Sequence, residues 1–230
     1  MLVTANILQR TFQFSFGKSQ GTCFTIDHEN QQYIVTARHL VESITGPATI
    51  RIKHEGVWKD CPVNLVGHCG GEVDISVLAA GFQLSPTYSL PTTGSMTLGQ
   101  DVYFLGFPYG LTSEVGELNQ NFPLPLVKKA TLSAIDANTN LLFLDGHNNP
   151  GFSGGPVVYS QVGKPDRELS VAAVISGYRF NMEPVYLEGK RTSLEFEYNT
   201  GIIVAYGIKH ATDFISQNPI GFNLQGQNTV

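Results

Sequence analysis

The sequence predicts an all-β protein of two six-stranded Greek-key β-barrels with one short C-terminal helix, and three observations carry that prediction. Runs rich in Val, Ile, Thr, Tyr and Phe recur along the chain, most with the two-residue alternation of a half-buried strand. Glycine, proline and asparagine clusters punctuate those runs as turns. At 230 residues the chain is long enough for two packed barrels with a cleft between them.

Taken in order, residues 11–16 alternate, and 21–27 continue with a second strand. Asp27-His28-Glu29-Asn30 reads as a turn and 32–36 as the returning strand, so this hairpin delivers His39. Residues 40–44 suffice only for a helical turn. Residues 48–53 return to alternation, and 58–66 read as a further strand pair. Gly70-Gly71 is a loop that sets Asp74 at the start of an apolar strand containing Ile75, Val77 and Leu78. Residues 84–98, rich in Ser, Thr, Pro and Gly, form the connection, with a boundary near Thr92: 1–91 make the first barrel, carrying His39 and Asp74, and 92–216 the second, carrying Ser153. The second barrel is expected from a strand over 101–110 broken by glycine and proline, strands at 127–135 and 141–145, the run after Ser153, and 171–178 and 201–208. Residues 209–216 have the spacing of a short helix with Ala211, Phe214 and Ile215 inward. The polar residues 217–230 are expected to be loose, because they hold too few apolar side chains to offset the entropy of ordering.

Charged residues are few and the net charge is −5, which argues against nucleic acid and anionic membrane as partners. No stretch is long enough to span a bilayer, and residues 1–10 lack the basic start and apolar core of a secretory signal, so a cytoplasmic location is expected. Cys23, Cys61 and Cys69 are odd in number, which predicts free thiols. Cys61, His68 and Cys69 match no common zinc spacing, and neither a metal nor a cofactor is expected.

The segment Gly146-His147-Asn148-Asn149-Pro150-Gly151-Phe152-Ser153-Gly154-Gly155-Pro156 presents one serine in a glycine- and proline-rich frame before an apolar run. A serine hydroxyl is a weak nucleophile at neutral pH and needs a base for its proton and N–H donors for the oxyanion it creates. Glycines on both sides let the Gly151 and Ser153 N–H groups point at one spot, as an oxyanion hole requires. Upstream, Thr36-Ala37-Arg38-His39 supplies an imidazole and Asp74-Ile75-Ser76-Val77-Leu78 a carboxylate to fix its tautomer. The order His39, Asp74, Ser153 is that of one known nucleophile–base–acid triad.

Thr-Ala-Arg-His, Asp-Ile-Ser-Val-Leu and Gly-Phe-Ser-Gly-Gly-Pro together resemble the three motifs of trypsin-like (chymotrypsin-fold) serine peptidases. The stretch Gly106-Phe107-Pro108-Tyr109-Gly110 and the serine loop Asn149-Pro150-Gly151-Phe152-Ser153 are most similar to the bacterial HtrA (DegP) kind, and the resemblance covers residues 10–216 without a PDZ domain. It implies a bacterial serine endopeptidase acting on protein or peptide substrates through an acyl-enzyme. It also implies that Ser176, Gly177 and Tyr178 wall the S1 pocket and pair with substrate, and that His147, six residues before the serine, lies at the pocket base.

Three departures matter. Leu40 stands where secreted animal members have a cysteine. His147 is not the acid that a preference for Lys or Arg requires. Phe152 replaces the aspartate that zymogens pair with a new N-terminus, so the oxyanion loop is held either by packing of Phe152 or by an activating protein partner. The alternative function is a proteolytically silent module that holds a peptide strand in the same cleft.

Overall fold

The computed structural model describes residues 3–88, 90–93, 96–113, 119–161, 163 and 168–224. After a short helix, α1 (Ala5–Leu8), come β1 (Thr11–Phe16), β2 (Ser19–His28), β3 (Gln31–Thr36), β4 (Ala48–His54), β5 (Val57–His68) and β6 (Ser76–Ala80). They pair in the order β3-β2-β1-β4-β5-β6, and β6 returns to pair with β3, which closes the ring. The second set is β7 (Asp101–Gly106), β8 (Leu126–Asp136), β9 (Leu141–Asp145), β10 (Pro156–Ser160), β11 (Leu169–Leu187) and β12 (Lys190–Gly207), a closed barrel in the order β10-β11-β12-β9-β8-β7. Counted from its own first strand, each ring runs 1-2-3-6-5-4, so the two barrels share one topology.

Alternation along these strands sends one face inward. Phe12, Phe14, Ile34, Ile50 and Leu78 fill the first barrel, and Val102, Phe104, Leu132, Leu144 and Ile203 the second. A third cluster lies between them, where Phe24, Val35 and Val77 meet Leu105, Val158 and Val174 beneath α2 (Lys209–Gln217), whose Ala211 and Ile215 point inward as expected. Each such side chain, fully buried, contributes about 1.5–3 kcal/mol, so the seam between barrels is itself a core.

Three expectations need correction, and one element was not foreseen. Residues 58–66 are not a strand pair: Val57–His68 is one twelve-residue strand. Pro62 does not break it, because at that level β5 pairs only with β4, and β6 joins from Val63. The strands at 171–178 and 201–208 are longer than expected, and β11 and β12 continue as a two-stranded ribbon to Leu187 and Lys190, closed by Glu188 and Gly189, both at positive φ. Residues 178–183 and 194–199 do alternate, but the register sets apolar residues of one strand opposite polar residues of the other, as in Phe180↔Asn199 and Asn181↔Tyr198; outside the barrel the ribbon buries neither face, and Phe180, Tyr186, Leu194 and Tyr198 are exposed. Helix α1 was not anticipated; it is one turn long and is held by Ile7 in the inter-barrel core. The segment from residue 217 is not loose up to Leu224: β13 (Phe222–Asn223) pairs with Gln31 and Gln32, and the Leu224 N–H donates to Asn30 O. Backbone pairing with β3, rather than apolar burial, orders it; the remaining tail, 225–230, lies outside the described residues.

Candidate active site

Antiparallel pairing sets Thr36 of β3 opposite Ser76 of β6. The chain leaving β3 and the chain entering β6 therefore meet at one end of the first barrel. A 3-10 turn at Arg38–Leu40 follows β3 and holds His39, while Asp74 lies two residues before β6. Asp74 Oδ2 accepts His39 Nδ1 at 2.7 Å and Oδ1 accepts the His39 backbone N–H at 2.8 Å, so one carboxylate orients both ring and backbone. A carboxylate only accepts, so Nδ1 carries a proton, and in the neutral ring that tautomer leaves the lone pair on Nε2.

The second barrel adds Ser176. The β11–β12 register shifts between Ile175 and Gly177, making Ser176 the extra residue of a bulge, and bulges re-aim a side chain in this way. Its hydroxyl donates to Asp74 Oδ2 at 2.6 Å and its carbonyl accepts from Ser153 Oγ at 2.9 Å. Burial pushes the Asp74 carboxyl up, but the hydrogen bonds from the His39 ring, Ser176 and the His39 backbone outweigh it and hold Asp74 below the usual carboxylate range. Among the described residues no hydrogen bond joins Ser153 Oγ to His39, so the serine proton is parked on Ser176 O.

Around Ser153 each carbonyl has an anchor. Pro150 O accepts from Tyr109 N–H (3.0 Å), Gly151 O from Thr22 Oγ1 (2.7 Å), Phe152 O from Gly155 N–H (2.8 Å) and Ser153 O from Thr22 N–H (2.9 Å). In a trans peptide N–H opposes C=O, so the Gly151 and Ser153 N–H groups face away from these anchors, and neither donates to another group among the described residues. Phe152 N–H to Asn149 O (3.3 Å) closes a β-turn over residues 149–152. Proline at its second position excludes the turn types that need positive φ there, and φ +106° at Gly151 leaves type II. A Cβ at Gly151 would stand 2.5 Å from Phe107 O, so only glycine fits that approach. Phe152 is fully buried in the second barrel, its ring edge-on to Phe104 at 4.9 Å, which is the packing alternative foreseen for this residue.

The structure thus brings His39, Asp74, Ser153, Gly151 and Ser176 to the seam between the barrels. Gly177 and Tyr178 continue from Ser176 along β11, and Tyr178 donates to Glu197 Oε1 at 2.8 Å, a bond that raises its phenol pKa. His147 is exposed, its carbonyl taken by Lys128 Nζ. The neighbour that turns inward is Asn148, 1 % exposed, donating to Gly177 O at 3.0 Å. Counting back from the serine picked out His147 because it cannot tell which of two adjacent side chains faces the wall. Thr22 and Tyr109 were also missed as loop supports: their partners lie 129 and 41 positions away, and no local pattern marks them. His68 commits both ring nitrogens, to Ser76 Oγ and Ile44 O. The three cysteines are buried and free, and burial pushes the Cys61 thiol up to about 11 and Cys69 up to about 12.

In shape the chain is similar to the crystal structure of a serine endoprotease from Yersinia pestis, with a TM-score of 0.59 and 17 % identity over 94 % of this chain and 67 % of that one. No curated protein matches the chain in sequence. The trypsin-like peptidase domain family matches residues 21–164, a span that contains His39, Asp74 and Ser153 and more than half the chain, and the protein belongs to that family.

Proposed function

We propose that this trypsin-like peptidase is a serine endopeptidase in which His39, Asp74 and Ser153 form the catalytic triad. The observation that carries the reading is the His39 Nδ1–Asp74 Oδ2 bond, which fixes the tautomer so that in the neutral ring Nε2 is the acceptor at the seam where Ser153 stands. Rotation of the Ser153 hydroxyl away from Ser176 O hands its proton to Nε2 as Oγ attacks the substrate carbonyl. Asp74 stabilises the imidazolium and the Gly151 and Ser153 N–H groups take the oxyanion; the imidazolium then gives its proton to the leaving amine, which departs, and the ring, neutral again, deprotonates the water that hydrolyses the acyl-enzyme. A type II turn with Phe152 buried supports an oxyanion hole assembled without an activating partner. Substrate pairs with the Ser176–Tyr178 edge, and Asn148 rather than His147 is the side chain turned to that wall.

A second reading, a silent peptide-binding module, draws on the Ser153 hydroxyl being engaged by Ser176 O. A fluorophosphonate probe separates the two. On the peptidase reading it labels the folded chain at Ser153 and not Ser153→Ala, and a proteome-derived peptide mixture is cleaved. A folded chain that stays unlabelled and cleaves nothing favours the silent module.

A further inference from the structure

Resting on that peptidase reading, we propose that Thr22, a residue of the first barrel with no place in the triad, is the positioning residue that aims the oxyanion turn of the second barrel. Thr22 is fully buried on β2. Its hydroxyl donates its single proton to Gly151 O (2.7 Å) and accepts from Phe107 N–H (3.2 Å), and its backbone N–H donates to Ser153 O (2.9 Å). One residue therefore holds the carbonyls on both sides of Phe152.

The consequence follows from peptide geometry. Gly151 has no side chain to restrain it, and a turn with glycine at its third position converts between types I and II by rotating the 150–151 peptide. That rotation turns the Gly151 N–H away from the oxyanion site. Packing of Phe152 does not prevent it, because the hinge lies before the ring. Hydrogen bonds to the flanking carbonyls do, and Thr22 governs both: directly at Gly151 O, and through Phe107, which leads into the turn whose Tyr109 N–H holds Pro150 O (3.0 Å). Tyr109 sits at φ +53°, a region uncommon for a residue with a Cβ, while its N–H makes this contact.

Thr22 is itself clamped. Its carbonyl accepts Thr36 Oγ1 at 2.8 Å, and Thr36 ends the strand that delivers His39. The base and the oxyanion donors, which come from different barrels, are thereby set against each other through Thr36 and Thr22. Any change that keeps the fold but deletes the Thr22 hydroxyl loosens that relation.

The test compares wild type, Thr22→Val and Thr22→Ser on one peptide substrate found by profiling, with melting temperature measured for each. Losing an oxyanion donor outright costs roughly 100- to 1,000-fold in kcat, so loosening it should cost Thr22→Val about 10- to 100-fold in kcat with KM within about threefold. Thr22→Ser, which restores the hydroxyl, should return kcat to within about threefold of wild type. A merely structural role would lower the melting temperature without this kcat-only pattern. The proposal is overturned if folded Thr22→Val keeps wild-type kcat, or if Thr22→Ser is as slow as Thr22→Val. Should Thr22→Val not fold, the comparison runs between Thr22→Ala and Thr22→Ser, and equal kcat there overturns it as well. Fluorophosphonate labelling of wild type keeps the two ideas apart: an unlabelled, inactive wild type removes the peptidase reading and this proposal with it, whereas a labelled, active wild type with an unimpaired Thr22→Val removes this proposal alone.

Discussion

Ser176 touches both Ser153 and Asp74: its carbonyl holds the Ser153 hydroxyl at 2.9 Å while its own hydroxyl donates to Asp74 Oδ2 at 2.6 Å. The two residues come from different barrels, and the bulged residue between them couples Ser153 to Asp74.

Replacing Ser176 by alanine removes one of the donors that hold the Asp74 carboxylate but leaves its carbonyl in place. We expect kcat to fall about 10-fold with little change in KM, since the lost bond is a charge-assisted one worth about 1.5–3 kcal/mol and is only partly replaced by water. Steady-state kinetics on a peptide substrate check this, and an unchanged kcat would mean that the His39 bonds alone keep Asp74 oriented.

Asp74→Asn should cost roughly 10⁴-fold in kcat, because an amide NH₂ facing Nδ1 favours the wrong imidazole tautomer. The same carboxylate contributes to stability with a definite sign. Its pKa is lower in the folded chain than the usual value of about 4, so its contribution is fully present above that value and is lost as the pH falls through the depressed folded value. The melting-temperature advantage of wild type over Asp74→Asn should therefore shrink on acidification below about pH 4. An advantage that grows there would contradict the assignment.

Gly154→Ala should abolish folding or activity. Its φ is +81°, and a Cβ there would lie 2.1 Å from Thr22 O and 2.4 Å from Thr36 Oγ1, atoms that cannot retreat without parting the barrels. A soluble, active Gly154→Ala with a wild-type melting curve would refute this packing.

Arg10 is fully buried and donates to Asp27 through both terminal nitrogens, at 3.0 and 2.7 Å, to Tyr88 O, and through Nε to Asn6 Oδ1 at 3.0 Å. Asp27→Ala strands that guanidinium. Breaking such a pair from one side costs about 3–5 kcal/mol, and because Asp27 keeps some solvent contact we expect about 3 kcal/mol from chemical denaturation. A loss under about 1 kcal/mol would show that Asn6 and Tyr88 suffice as partners.

All three thiols should react with a disulfide reagent only after unfolding, without prior reductant. They are buried, and burial raises each pKa, so little thiolate is available in the native chain. Rapid native labelling would contradict this burial.

Barrel strands and the glycine frame of the serine loop were legible in sequence, because each depends on neighbours within about ten positions: alternation, turn residues, a serine among glycines. Which side chains meet around that loop was decided only in three dimensions. Thr22 to Gly151, Tyr109 to Pro150 and Asn148 to Gly177 are long-range hydrogen bonds set by the packing of one closed barrel on the other. The strand at Phe222–Asn223 escaped because backbone pairing holds it, and a backbone hydrogen bond leaves no signature in the order of side chains; residues 178–183 and 194–199 do alternate, but that the two runs pair with each other as a ribbon burying neither face was decided only by their register.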